Sequence, residues 1–224
     1  MKIIKVLLAD DHQIVRQGLR ILLEAEGDIQ ILCEAENGRH AVVLAREHQP
    51  DVILMDIAMP QLNGLEAARQ ILSANQESRI IILSAHDDDA YLENAIALGV
   101  AGFLIKQTSA NILTKAIRDI AQGKTLFSPA FSKRLAQYEK VIGMDALQKR
   151  ANAKLTSRET EVLQLIAEGM ANKQTADELK ISIKTVEKHR QALMDKLNIH
   201  DTAGLTRHAI ASGVIESSAR TMFA

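Results

Sequence analysis

The first 125 residues alternate two kinds of segment, and this alternation constrains the fold more than any other feature of the chain. Short apolar runs occur at 3–9, 52–55, 80–83 and 101–105. They are nearly continuous instead of apolar at every other position, as strands buried on both faces should be. A more mixed run at 29–36 predicts a fifth strand, nearer the edge of the sheet. Between the runs, apolar residues recur at helical spacing. Over 12–26 they are Ile14, Val15, Leu19, Leu22 and Leu23, and similar patterns cover 38–48, 64–74, 87–98 and 109–122. Five strands alternating with five helices predict an α/β doubly wound, five-stranded parallel sheet with helices on both faces. In such a sheet, ligands bind at the carboxyl ends of the strands.

The pattern changes after Gly123. Phe127-Ser128-Pro129 reads as a helix start, with Ser128 as cap and Pro129 in the first turn, so a short helix is expected to about Tyr138. Residues 139–153 have little periodicity and contain Gly143, which predicts a linker. From Leu155 onward the pattern is helical throughout. Thr156 and Glu159 have the spacing of a capping box, opening a helix that stops at Gly169. A second helix is expected over 172–179. Ser182 caps a third over 183–197, and a fourth runs over 202–212 to Gly213. The domains are therefore expected at 1–124 and 154–224, with a linker containing a short helix at 125–153.

Charge excludes a globally basic nucleic-acid binder, since the formal net charge is −1. The division is no sharper by region, at −2 for residues 1–150 and +1 for 151–224. Any attraction for a polyanion must be local. One such place exists: Lys180, Lys184, Lys188, Arg190 and Lys196 fall in one short stretch against Glu187 and Asp195. Cys33 is the single cysteine, which excludes an intrachain disulfide and suits a reducing cytoplasm; it is expected to be a buried small apolar residue. The apolar start runs at once into Asp10-Asp11 and is too short for a signal peptide or a membrane span. A cytoplasmic chain without a membrane partner is expected.

Placing polar residues on the predicted sheet brings five of them to one edge. Asp10 and Asp11 follow the first strand, Asp56 ends the third, Ser84 ends the fourth and Lys106 ends the fifth. Crowded carboxylates repel, and a divalent cation removes that cost. Mg2+ suits such a site because it takes one or two carboxylates together with phosphate oxygens. Asp56 is then a candidate nucleophile toward a phosphoryl donor. Lys106 offers a point charge, and Ser84 a hydroxyl, to the incoming phosphoryl group. His12, His40, His48, His200 and His208 lack metal-ligand spacing and are expected at the surface or in packing.

These residues, together with Met59-Pro60, Gly64, Ser84-Ala85 and the run Ala101-Gly102-Phe103-Leu104-Ile105-Lys106, resemble a two-component receiver domain over residues 1 to about 122. The resemblance implies that Asp56 is the phosphoacceptor. It implies that Asp11, Asp56 and the Ala58 carbonyl hold Mg2+ directly, with Asp10 acting through water. Ser84 and Phe103 would be a switch pair, the hydroxyl turning to the phosphate and the ring rotating inward behind it. Gln107 stands where the family often has Pro or Asp, which bears only on local geometry. The family tunes dephosphorylation at the positions occupied here by Ala58 and His86, so His86 is expected to set the lifetime of the phosphate. At most slow autodephosphorylation is expected, not enzymatic turnover.

In the C-terminal part, a short helix, a turn at Lys180-Ile181-Ser182 and a longer helix are the layout of a helix-turn-helix. Spacing on the second helix puts Ile183, Val186, Leu193 and Leu197 inward and Lys184, Glu187, Lys188 and Gln191 on the opposite face. The run Leu155-Thr156-Ser157-Arg158-Glu159, then Glu161-Val162-Leu163, Asn172-Lys173, Ile181-Ser182, Lys184-Thr185-Val186, His189 and Lys196-Leu197 resembles the LuxR-type domain of NarL/FixJ-class response regulators. That resemblance implies base contacts from Glu187, Lys188 and Gln191. It implies DNA-backbone contacts from Lys173, Ser182, Lys184 and Thr185, and a dimer contact through 202–212. Glu187 departs from the basic residue many relatives carry. A carboxylate can accept from a cytosine amino group, which predicts a specificity residue. The implied partners are double-stranded DNA, a sensor histidine kinase, a second copy of the chain on DNA, and RNA polymerase as a further candidate.

The sequence bears on three other functions. A phosphohydrolase with Asp56 as nucleophile needs a second acid two residues on, where Ala58 stands. A ligand-sensing LuxR-type regulator needs an apolar ligand pocket, which an acidic sheet edge poor in aromatics does not offer. A receiver controlled by protein contacts instead of phosphorylation is opposed by the full acidic pocket and is kept as the alternative.

Overall fold

The computed structural model describes residues 3–85, 89–127 and 155–215. The expected helix after Pro129, the linker 139–153 and His86 lie outside the described residues. The chain divides into two compact units at residues 151 and 152.

The first unit is a parallel sheet in the order β2-β1-β3-β4-β5-β6. Its strands are β1 (Ile4–Ala9), β2 (Ile29–Ala35), β3 (Val52–Asp56), β4 (Ile80–Ser84), β5 (Gly102–Ile105) and β6 (Leu126–Phe127). The helices between them are α1 (Gln13–Glu24), α2 (Gly38–His48), α3 (Gly64–Ala74), α4 (Asp89–Leu98) and α5 (Ala110–Ala121). The continuous apolar runs have a direct cause. Along β1, Val6 and Leu8 pack with Leu23, Leu113, Ala116, Ile117 and Ile120, which belong to α1 and α5. Leu7 and Ala9 face the other way, against Ala41, Ala67, Ala68, Ile71, Leu92 and Ile96 of α2, α3 and α4. Both faces of the sheet are covered, so neither set of alternating positions can be polar. The mixed run at 29–36 is β2, at one edge as predicted.

The sixth strand is a difference from the sequence reading. Leu126 and Phe127 pair in parallel with Gly102 and Phe103, and Leu126 N–H donates to the Ala101 carbonyl at 2.9 Å. Two residues carry no periodicity, and Ser128-Pro129 directly after them has the sequence of a helix start. The sheet therefore extends past the expected boundary at 124. Cys33 also differs: it is half-buried on β2, packed at the margin of the core.

The second unit contains α6 (Ser157–Ala167), α7 (Asn172–Leu179), α8 (Ile183–Leu197) and α9 (Thr202–Ala211). The capping box forms as expected: the Thr156 hydroxyl accepts from Glu159 N–H at 3.3 Å, and Glu159 accepts from Thr156 N–H at 2.8 Å. Val162, Leu163, Leu165, Leu179, Leu193, Leu205 and Ala209 form one core drawn from all four helices. Arg158 donates to the Leu179 carbonyl at 2.9 Å and so caps the end of α7. Arg190 reaches Asn172 at 3.3 Å and Thr202 at 2.7 Å, joining α7, α8 and α9. No helix among the described residues is long and apolar enough to cross a membrane.

Candidate functional site

The register brings the acidic residues together. Ala9 pairs with Met55 and Asp56 with Leu83, so the ends of β1, β3 and β4 lie side by side. Ser84 pairs with Ile105, which sets Lys106 just past the same edge, and Lys106 N–H donates to the Ser84 carbonyl at 2.7 Å. Behind Asp56 the chain doubles back tightly. A Cβ at Gly64 would stand 1.8 Å from the Asp56 carbonyl oxygen. Only a residue without a side chain lets α3 begin there.

Asp10 and Asp56 are almost fully buried, and Lys106 Nζ bridges them at 2.8 and 2.9 Å. Asp10 also accepts from His12 N–H at 2.8 Å. Asp11 is exposed and pairs with His12 Nδ1 at 2.7 Å. One lysine thus serves two buried carboxylates beside a third. Burial pushes the Asp56 carboxyl up to about 6; Lys106 pulls it down, while Asp10 and then Asp11 add to the rise. Burial alone would depress Lys106, but Asp56 and the bonds to Asp10 and Asp56 hold it above its ordinary value.

Donor atoms of Asp10, Asp11, His12 and Asp56 all lie within 4.8 Å of one another. A cluster of three carboxylates with one lysine between two of them is oxygen-rich and short of positive charge, which fits a hard divalent cation. His12 is the residue of this group that sequence reasoning missed. Its adjacency to Asp11 was the available signal, but its spacing matched no metal pattern. Ser84 and Phe103 are both buried, with Phe103 at 0 % exposure in the core on the α2–α4 side.

In the second unit, Lys180 ends α7 in the left-handed region, at φ 52°. Ser182 then caps α8 by accepting from Thr185 N–H at 3.1 Å. This is the predicted helix-turn-helix. Lys173, Ser182, Lys184, Glu187, Lys188 and Gln191 are exposed and Thr185 is half-buried. Gln191 donates to Asp195 at 2.8 Å. Two of the five local cations serve the domain itself: Arg190 joins helices, and Lys196 pairs with Glu159 at 2.7 Å. Val186 and Leu193 are fully buried as predicted, but Ile183 is not. It is 44 % exposed and lies outside the domain core, at the first residue of α8.

An acidic pocket on the carboxyl edge of a doubly wound sheet, followed by a separate helix-turn-helix unit, is the build of a two-domain signalling regulator. The comparisons agree. Residues 6–118 match the response regulator receiver domain, and residues 153–209 match the bacterial regulatory proteins of the luxR family. The transcriptional regulatory protein DegU of Brevibacillus brevis is 32 % identical over 225 residues, covering 95 % of each chain. LiaR of Bacillus subtilis is 39 % identical over 198 residues, covering 88 % of this chain and 92 % of its own. Among solved structures, the response regulator ChrA of a heme-sensing two-component system has 28 % identity and a TM-score of 0.52. It covers 96 % of this chain and all of its own. RcsB from Salmonella enterica serovar Typhimurium, bound to promoter rprA with the phosphomimetic BeF3-, has 26 % identity and a TM-score of 0.57. The match covers 92 % of this chain and 98 % of RcsB. The chain belongs to the two-component response regulators that join a receiver domain to a LuxR-type DNA-binding domain, a family of transcription regulators.

Proposed function

We propose that Asp56 is the phosphoacceptor and that its phosphorylation controls binding of duplex DNA by the C-terminal domain. The observation that carries this reading is the bridge from Lys106 to the buried Asp10 and Asp56, at 2.8 and 2.9 Å. It leaves net negative charge at the spot where a phosphoryl group and a cation would arrive together. Asp11, Asp56 and the Ala58 carbonyl would hold Mg2+, with Asp10 beside them. When bound, the ion supplies charge to the phosphate oxygens and offsets the repulsion among the carboxylates.

An Asp56 carboxylate oxygen attacks phosphorus in line, and the bond to the donor's leaving oxygen or nitrogen breaks. Lys106 then turns from the carboxylates to a phosphate oxygen, and the Ser84 hydroxyl donates to another. Phe103 fills the space behind Ser84, and its buried position supports that role. Lys173, Ser182, Lys184 and Thr185 meet the DNA backbone, and Glu187, Lys188 and Gln191 meet base edges. The chain acts as a dimer through α9, takes its phosphoryl group from a sensor histidine kinase in the cytoplasm, and engages RNA polymerase as a further partner. The receiver is assigned to 1–124 with its sheet continued through Phe127, the linker runs to 153, and the DNA-binding domain is 154–224. His86 sets the phosphate's lifetime, and any turnover is slow autodephosphorylation.

The test is incubation of the purified chain with Mg2+ and acetyl phosphate beside Asp56→Asn. A base-labile acylphosphate on wild type that is absent from the variant is expected. A modified Asp56→Asn chain, or a wild type that neither this donor nor any kinase phosphorylates, overturns the reading in favour of control by protein contacts.

A further inference from the structure

Of the apolar side chains on α8, Val186 and Leu193 are fully buried, and Met194 and Leu197 pack against the domain core. Ile183 stands apart at 44 % exposed. It is the first residue of the helix, directly after the Ser182 cap. Ile183, Glu187 and Gln191 are spaced i, i+4 and i+8, so they form one stripe on the helix surface, and all three are exposed. Lys184 and Lys188 flank the stripe, and both are exposed. The helix therefore opens with an isolated apolar group at the leading end of a polar, cation-flanked face.

An apolar protein surface or a lipid core would have to desolvate these lysines, whereas a polyanion is attracted by them. Residues at the N-terminus of a recognition helix are the ones that meet base edges in the major groove. The apolar feature available there is the C5-methyl of thymine. We propose that Ile183 is a specificity residue that reads a thymine methyl at one position of each half-site. The inference rests on the reading of α8 as the DNA-facing helix.

Duplexes are selected from a random pool with the full phosphorylated chain, and each thymine of the selected site is replaced in turn by deoxyuridine, which removes only the methyl. One thymine per half-site is expected at which the replacement weakens wild type about fourfold, the worth of one buried methyl group. Ile183→Ala is expected to bind the thymine and uracil duplexes equally, with unchanged salt dependence because no phosphate contact is lost. Ile183→Val is expected to keep most of the discrimination. Thermal unfolding of Ile183→Ala should match wild type, since the side chain is exposed. The proposal is overturned if no thymine is methyl-sensitive, or if Ile183→Ala keeps the full thymine-to-uracil ratio. Enrichment of no duplex at all is a different failure, which removes the DNA-facing reading of α8 and the proposal with it.

Discussion

The acidic pocket and the recognition helix use charge under opposite physical conditions. In the pocket, Asp10 and Asp56 are buried and share one lysine. Their interactions are strong, weakly screened and costly to leave unmatched. On α8, Lys184, Glu187 and Lys188 stand in solvent, where charge contributes little to the fold and is available to a partner. The pocket stores a negative imbalance that a divalent cation relieves. The helix holds a pattern that costs the free chain almost nothing. Substitutions in the first region should therefore alter stability together with function, and those in the second should alter binding alone.

The largest expected effect is at Lys106. Lys106→Ala leaves two buried carboxylates uncompensated and should destabilise the receiver by about 3 kcal/mol at pH 8 without divalent metal, read by urea unfolding. Addition of Mg2+ should recover much of the loss. A variant as stable as wild type in metal-free buffer breaks the comparison, because the pocket would then hold no unbalanced charge.

The pH dependence follows next. Without divalent metal, burial holds the folded Asp56 carboxyl up at about 6, above its ordinary value of 3.8. The native state thus holds a proton that the unfolded chain has lost between about pH 4 and 6. Stability falls as pH rises through that window, and the cost is fully present above it. The difference is on the order of 3 kcal/mol, and it should vanish in Asp56→Asn. Parallel pH profiles for wild type and Asp56→Asn would falsify the assignment of the imbalance to Asp56.

The same contrast decides what was legible beforehand. Asp10, Asp56, Ser84 and Lys106 are far apart in sequence, yet each ends a strand or directly follows one, so predicting a parallel sheet was enough to gather them. What spacing does not encode is how the charge is shared: that Lys106 bridges both buried acids, or that His12 turns to Asp11, depends on side-chain geometry. The strand at Leu126–Phe127 was missed because two residues carry no period. On α8 the motif located the helix and its cap, but the helical wheel put Ile183 inward. Periodicity gives the direction of a side chain, and whether a neighbouring helix reaches far enough to cover it depends on tertiary packing.

On the helix itself, Glu187→Ala should reduce discrimination at one base pair by about 1–3 kcal/mol, seen as a loss of preference for cytosine there. Tighter binding with unchanged preference would make Glu187 a repulsive bystander. Lys184→Ala should weaken binding evenly across sequences and lower the slope of log K against log salt by about 0.9. Neither change should move the unfolding midpoint, which is the sharpest separation of the two regions.

The smallest expected effect sits where the two behaviours meet. Lys180 is an exposed cation in the left-handed region at φ 52°, between α7 and α8. That conformation costs a residue with a side chain about 1 kcal/mol, and glycine adopts it freely. Lys180→Gly should therefore stabilise the DNA-binding domain by about 0.5 kcal/mol, after the entropy glycine loses on folding is counted. Lys180→Asn keeps a residue suited to the left-handed region and removes the charge, which separates backbone strain from electrostatics. If both variants bind DNA more weakly and both lower the salt slope, the turn holds a strained lysine in order to place its charge on a DNA phosphate. If only the stability of the glycine variant changes, Lys180 belongs to the fold, and the binding surface begins at Ser182.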